Sequence, residues 1–295
     1  MELVIETLSK QYSNGVQALN NVSLNIPQGM FGLLGPNGAG KSTLMRTIAT
    51  LQKADSGSIT WGELNILEQQ EEMRKVLGYL PQEFGVYPRV SAEMMLDHIA
   101  RLKGLSNRKE RNETVSALLQ KVNLYKERKR NLGTYSGGMK QRFGIAQALI
   151  GNPKILIVDE PTAGLDPAER NRFYNLLSEI GESTIVILST HIVEDVKTLC
   201  KQFAIICSGE VMYVGTPHDA VKTLDGKIWS KAIDKHEIEA YREKYKVIAT
   251  QLSEGKLFIR VVSDDNPGEG FASSEPSLED VYFNAISAKV DLVTL

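Results

Sequence analysis

Through to about residue 200, short apolar runs of strand length alternate with stretches whose apolar positions recur at helical spacing, the pattern of an α/β protein. Leu3–Leu8 and Val22–Ile26 read as antiparallel strands near a sheet edge. Met30–Leu34 reads as a buried strand running straight into a glycine-rich turn, and Val76–Leu80 as another, ended by Pro81. Between Pro88 and Leu132 the strand signal stops. Ser91 is placed to cap one helix reaching Gly104, and Ser106 a second reaching about Val122. A helical insert over about residues 83–135 therefore interrupts the α/β core. Strand pattern resumes at Ile155–Val158, Thr184–Leu188, Phe203–Cys207 and Val211–Val214. Asp166-Pro167 supplies a cap and a first-turn proline for a helix ending near Ile180.

The pattern changes after Gly215, which divides the chain into a domain over residues 1–215 and a small α+β unit over 216–295. The second unit opens with a helix start at Thr216-Pro217 and an apolar run at Ile228–Ile233. A charged helix around His236–Tyr245 and a strand at Leu257–Val262 follow. A polar linker over Asp264–Gly270 then leads to a final helix near Leu278–Ala288.

Composition narrows the possibilities. A net charge of -2 leaves no basic footprint for nucleic acid or anionic lipid. A membrane-spanning helix needs roughly 20 apolar residues in a row, and no such run occurs. The start, Met1-Glu2-Leu3, lacks the basic-then-apolar layout of a signal peptide, so a cytoplasmic location is expected. Cys200 and Cys207 sit in or beside apolar sequence and read as buried free thiols. The basic stretch Lys126–Arg130 reads as a solvated helix end.

Two segments carry chemistry on their own. Gly35-Pro36-Asn37-Gly38-Ala39-Gly40-Lys41-Ser42, followed by Thr43, matches the GxxxxGKS phosphate loop and lies between a strand and a helix. Its glycines let the backbone curl so that N–H groups and the helix dipole meet phosphate oxygens. Lys41 is expected to neutralise the β- and γ-phosphates of ATP, and Ser42 to ligate Mg²⁺. Ile155–Val158 ends in Asp159-Glu160, and paired carboxylates at a strand end are costly unless a cation or a reaction uses them. Asp159 is the candidate Mg²⁺ holder and Glu160 the candidate general base.

Tyr135-Ser136-Gly137-Gly138-Met139-Lys140-Gln141-Arg142 resembles the signature of ABC ATPases, with Tyr135 and Met139 departing from its commonest form. The resemblance covers about residues 2–215 and implies a P-loop ABC ATPase core with an antiparallel β subdomain, a helical insert and a C-terminal α+β tail. It implies that Ser136 and Gly138, with Gly137 between them, contact ATP held by a second ATP-binding subunit in a head-to-tail dimer. That second subunit is a further copy of this chain in the simplest case, with a heterodimer left open. Gln82 matches the glutamine that reaches Mg²⁺, and His191 the histidine that contacts the γ-phosphate. Asp166, in Ala163-Gly164-Leu165-Asp166, matches the loop that crosses the dimer interface, and Tyr12 the aromatic that stacks on adenine. His98, His218 and His236 match no motif.

Two functions fit such a cassette. One is the ATPase subunit of a transporter, peripheral on the cytoplasmic face and working beneath a separately encoded transmembrane permease subunit. The other is a soluble ABC ATPase acting on nucleic acid or ribosomes. One short cassette without metal cysteines or a basic stripe favours the transporter. The ending Pro276-Ser277-Leu278-Glu279-Asp280-Val281-Tyr282 and the segment Phe84-Gly85-Val86-Tyr87-Pro88 resemble exporters of the drug, sodium and antibiotic type.

Overall fold

A computed structural model describes residues 1–253, 255–268, 270–287 and 289. The chain opens with β1 (Leu3–Gln11) and β2 (Gln17–Ile26), an antiparallel pair. Next comes β3 (Gly29–Leu34), buried at every position, which leads through the glycine-rich turn into α1 (Lys41–Ile48). Strands β4 (Ser56–Trp61) and β5 (Leu64–Asn65) complete an antiparallel sheet in the order β2-β1-β4-β5. Helix α2 (Gln70–Val76) then runs into β6 (Leu77–Leu80). The apolar pattern does not announce β4, β5 or α2. Only Ile59 of β4 and Met73 of α2 are fully buried, so neither element carries a repeating stripe.

The insert holds α3 (Ala92–Leu102) and α4 (Arg108–Lys121), which pack on each other and on α5 (Gly137–Ala148). Ser91 caps α3 as expected, accepting the Met94 N–H at 3.3 Å. The second cap is Asn107 rather than Ser106: its Oδ1 accepts the N–H groups of Lys109 at 2.9 Å and Glu110 at 3.3 Å. Asparagine is as good a cap as serine, and it moves the helix start one residue on. Lys126–Arg130 lies in turns and not at a helix end, because α4 stops at Lys121 and Asn123 takes a left-handed φ of 55°. A bridge between Ser91 and Asn131 closes the base of the insert.

Beyond the insert come β7 (Ile155–Asp159), α6 (Pro167–Gly181), β8 (Ile185–Thr190), α7 (Val193–Leu199), β9 (Gln202–Cys207) and β10 (Glu210–Gly215). They complete a sheet in the order β10-β9-β3-β8-β7-β6, parallel except for β10. Alternation along its buried strands feeds two cores. Leu156, Val158, Val186 and Leu188 face the helical side, while Ile155, Ile157, Ile185 and Ile187 face the side that shares a core with β1 and β2.

The tail comprises α8 (Pro217–Lys222), β11 (Ile228–Ile233), α9 (Ile238–Lys244), β12 (Val247–Ser253), β13 (Lys256–Val262), β14 (Ala272–Ser273) and α10 (Leu278–Ile286). Its sheet runs β12-β13-β11-β14 over a small core of Ile233, Ile259, Val261 and Phe271. Helix α10 does not join that core. Leu278, Val281, Tyr282 and Ile286 pack into the large helical-side core together with Val196, Cys200 and Cys207. The expected end of this helix at Ala288 lies outside the described residues. Both cysteines are free and buried, and burial raises the Cys200 thiol far above its ordinary range. Among the described residues, no helix is long and apolar enough to cross a membrane.

One buried ion pair fastens α10 to the tail sheet. Arg260 on β13 donates through Nε to Asp280 Oδ1 at 2.7 Å and through Nη2 to Oδ2 at 2.8 Å. Asp280, 1% exposed, also accepts the Ser277 N–H at 2.8 Å in a capping box. Removing one partner of a buried pair leaves the other charge uncompensated. Asp280→Ala is therefore expected to cost about 3 kcal/mol, measured by urea titration of the full chain.

Candidate functional site

Register brings the candidate residues to one edge of the parallel sheet. Leu34 of β3 sits opposite Thr190 of β8, and Asp159 of β7 opposite Ser189. Backbone bonds extend the ladder past the strand ends, from Gly35 N to Thr190 O at 3.4 Å and from Glu160 N to Ser189 O at 3.0 Å. The phosphate loop, Glu160 and His191 therefore start side by side at the carboxyl ends of the strands, where open α/β sheets bind ligands.

Two of the phosphate loop's glycines are needed for want of space. A Cβ on Gly35 would lie 2.2 Å from the Ile206 carbonyl oxygen, and one on Gly40, at φ 104°, 2.4 Å from that of Ala18. Pro36 and Ala39 are buried, while Asn37 and Gly38 are exposed at the rim. No side chain caps α1 at Gly40, so the first N–H groups of this eight-residue helix are left for an anion.

Three side chains converge on the Glu160 carboxylate. Lys41 Nζ lies 3.8 Å from Oε1, while Gln82 Nε2 donates to Oε2 at 3.2 Å. His191 Nδ1 is 3.2 Å from that same Oε2. Lys41 Nζ also donates to the carbonyls of Gly35 at 2.6 Å and Pro36 at 3.1 Å, which holds it inside its own loop. Burial lowers the Lys41 ammonium pKa, partly countered by Glu160 and Asp159. Asp159 is held above the usual carboxylate range, chiefly by burial and then also by the charge of Glu160. Glu160 itself takes φ 46°, a left-handed conformation that a residue with a Cβ adopts only under constraint.

The residues expected around Mg²⁺ fit a hard cation. Asp159 Oδ1 is buried with no hydrogen-bond partner, and the hydroxyl of Ser42 and carbonyl of Gln82 add neutral oxygens. Tyr12 lies against the loop: its hydroxyl is 3.1 Å from Thr43 Oγ1 and donates to Gln52 Oε1 at 3.0 Å.

Among the described residues, Ser136, Gly137, Gly138 and Asp166 make no bond to this cluster. Ser136 caps α5 by accepting the Met139 N–H at 3.2 Å, and Asp166 caps α6 by accepting that of Glu169 at 2.9 Å. Ser136 and Gly137 are exposed, with no atom within 4 Å of where a Gly137 Cβ would stand. Gly138 faces inward instead, where an added Cβ would meet Glu169 Oε2 at 2.5 Å. Glu169 is pinned there by Arg142 of α5 and by Arg172 at 2.6 Å.

One feature of the site has no motif. Asp195, on α7, is wholly buried and accepts three hydroxyl hydrogen bonds, two from residues flanking Glu160 and His191 and one from Tyr174 of α6. The only sequence trace is an acid four positions after His191, in a helix start where acids are common anyway.

This fold and edge-of-sheet geometry define a P-loop ATPase, and comparison with known proteins narrows the class. A family model for the ABC transporter matches residues 19–163. The uncharacterised ABC transporter ATP-binding protein YxlF of Bacillus subtilis is 33% identical over 97% of this chain and 100% of its own length. Nod factor export ATP-binding protein I of Rhizobium etli is 32% identical over 96% of this chain and 93% of its own. The solved dimer of the ATP-binding cassette MJ0796, in a post-hydrolysis state with ADP and Pi, matches with a TM-score of 0.66 at 26% identity. That match covers 72% of this chain and 98% of the other. The chain belongs to the ATP-binding proteins of ABC transporters. It is an ATP-binding and ATP-hydrolysing subunit, and cassettes of this kind dimerise.

If the converging groups form the hydrolytic site, Glu160→Gln leaves ATP binding intact and lowers turnover by about 10² to 10⁴, the range for loss of a general base. Lys41→Ala weakens ATP binding itself. Steady-state turnover and nucleotide titration separate the two outcomes, and Glu160→Gln turning over at the parental rate would refute the role of Glu160.

Proposed function

We propose that this chain powers export through a separately encoded transmembrane subunit, on whose cytoplasmic face it sits, by closing on a second ATP-binding subunit around two molecules of MgATP. The observation that carries this is an imbalance between two anion-binding elements. Glu160 and His191 of the same chain gather at the phosphate loop's Lys41, whereas Ser136 and Gly137 of the signature loop at the start of α5 face open solvent. A second chain bringing its own nucleotide supplies what that loop lacks.

In this assignment, the phosphate loop residues 35–43 grip the triphosphate, and Lys41 neutralises its β- and γ-oxygens. Tyr12 turns from Thr43 to stack on adenine. Ser42, Gln82 and Asp159 hold Mg²⁺, which supplies charge neutralisation at the phosphates when bound. Glu160 takes a proton from the attacking water. His191 and Gln82, already on Oε2, keep the carboxylate aimed and contact the γ-phosphate. Ser136, Gly137 and Gly138 contact the partner's ATP, while Asp166 borders the interface.

The cassette spans 1–215 with its helical insert at about 83–135, and 216–295 forms the accessory unit, anchored on the cassette by α10. Export is supported by the Nod factor export relative, whose similarity runs through this tail. Exposed apolar side chains on and beside the insert suit contact with the membrane subunit. Leu51, Tyr87, Met94 and Leu102 are each 64–74% exposed. Leu51 lines a groove of about 350 Å³ together with Ile99 of α3, Arg74 and Lys103.

Two outcomes test this. Glu160→Gln is expected to elute as a dimer with ATP and as a monomer with ADP on size exclusion, because a ligand-held dimer follows its ligand. Adding Ser136→Arg should abolish that dimer while each chain still binds ATP. A double variant that still dimerises removes the signature loop from the interface. Separately, Leu51→Glu and Tyr87→Glu should keep the ATPase rate of the isolated chain within about twofold, as surface changes do. The same variants should no longer co-purify with the membrane subunit.

A further inference from the structure

Two members of the Lys41–Glu160–His191 cluster stand on loops, and something must keep those two loops in step. Glu160 belongs to the segment after β7, and His191 to the one after β8. Their side chains meet at 3.2 Å, yet the register of the strands fixes only where the two segments start. Behind them lies Asp195, with no exposed surface. Its Oδ2 accepts from Thr162 Oγ1 at 2.7 Å and from Thr190 Oγ1 at 2.7 Å, and its Oδ1 accepts from the Tyr174 hydroxyl of α6 at 2.5 Å. Thr162 is two residues after Glu160, and Thr190 immediately precedes His191. Thr190 Oγ1 in turn accepts the Ile192 N–H at 2.9 Å, which folds the backbone around His191.

These bonds close a ring. It runs from Glu160 along the chain to Thr162, through Asp195 to Thr190, along the chain to His191, and back to Glu160. Thr162, Thr190 and Tyr174 are all buried. A buried carboxylate is costly in such surroundings unless it is hydrogen-bonded, and three hydroxyls supply that, two on Oδ2 and one on Oδ1. Tyr174 and Cys200 both sit far above their ordinary pKa ranges, first through burial, then through the hydrogen bond to Asp195 for Tyr174 and the charge of Asp195 for Cys200.

We propose that Asp195 is a positioning residue for ATP hydrolysis, whose carboxylate binds the Glu160 and His191 loops into one unit and so sets the contact between those two side chains. The proposal rests on the assignment of Glu160 as general base. Asp195 has no exposed surface and lies behind the reacting groups. It acts by holding the distance between two of them.

The test uses Asp195→Asn, Thr162→Val and Tyr174→Phe in the full chain, alone and combined with Glu160→Gln, with MgATP as substrate. Asp195→Asn is expected to lower kcat by about 10- to 100-fold, the scale on which a misplacement of about 1 Å acts. KM and the Kd for ATP should move by less than about threefold, since the phosphate loop is untouched. Thr162→Val, which removes only one donor, should lower kcat less. On a Glu160→Gln background, Asp195→Asn should slow turnover by no more than about twofold further, because both changes act through one group. Ile259→Ala, a destabilising change in the tail core, serves as control and should keep the parental kcat.

Parental kcat in Asp195→Asn overturns the proposal. So does a change confined to KM, or losses that multiply in the double variant. Should Asp195→Asn fail to fold, parental kcat in both Thr162→Val and Tyr174→Phe overturns it equally. Parental turnover in Glu160→Gln would instead remove the base on which the proposal stands, a result distinct from a slow Glu160→Gln beside a fully active Asp195→Asn.

Discussion

Hydrogen-bond register among β3, β7 and β8 is the constraint on which this molecule turns. The side-chain period of a strand is two, so slipping β7 by one residue against β8 would turn its alternate residues over. Ile155 and Ile157 would leave one core for the other, and Asp159 would exchange its inward direction with Val158. Both faces of the sheet are packed with aliphatic side chains of different shape, so such a slip disturbs two cores at once. The same pairing that buries these residues puts Gly35, Glu160 and His191 at one edge. Core packing and site assembly are therefore a single event, and neither can be achieved in another register.

That economy leaves a concentrated charge problem at the edge. Lys41 and Asp159 are buried, and burial disfavours the charged form of each, while the Glu160 carboxylate stands beside them. Lys41 donates to the carbonyls of its own loop and lies 3.8 Å from the Glu160 carboxylate, which limits the cost. Asp159 finds no such partner on Oδ1 and remains the least satisfied group of the set. Under the proposed function, an incoming triphosphate would compete for Lys41 and a hard cation for Asp159. Each would make the other's arrival more favourable, because opposite charges enter a site that already holds both signs. The left-handed backbone at Glu160 belongs to the same picture: strain there is tolerated because three side chains and the Ser189 carbonyl hold the residue.

Much of this was legible in the chain because the relevant signals are local. GPNGAGKS needs no tertiary context to be recognised, and Ile155–Glu160 reads as a buried strand ending in acids from six consecutive residues. Ser91, Asp166 and Thr216 were identifiable as caps by the same logic, each standing next to a helix start. What escaped was whatever depends on distance. Strands β4 and β12 bury one residue each, so their alternation is lost in polar sequence, and they are strands only because β1 and β13 are there to pair with. Asn107 displaced Ser106 as a cap because both are good caps, and packing of α4 chose between them. The exposed signature loop matches a motif, yet its distance from the Lys41–Glu160 cluster is a property of the folded sheet and insert. Asp195 lay furthest from view: its three partners are 5, 21 and 33 residues away, and no spacing rule links them.

Helix α7 is where these two kinds of information meet. Its inner side holds Asp195 against the reaction edge, while Val196 packs with Leu278 and Val281 of α10 in the large core. Helix α10 is tied in turn to the tail sheet by the two hydrogen bonds from a partly exposed Arg260 to the buried Asp280. The tail thus reaches the hydrolytic groups through packed helices and charged hydrogen bonds, with only α7 intervening. A tail free to swing would leave α7 unsupported on one side, and the ring through Thr162 and Thr190 would loosen with it. Burying α10 in the cassette core is therefore the arrangement that keeps the Glu160–His191 contact independent of whatever the tail sheet meets outside.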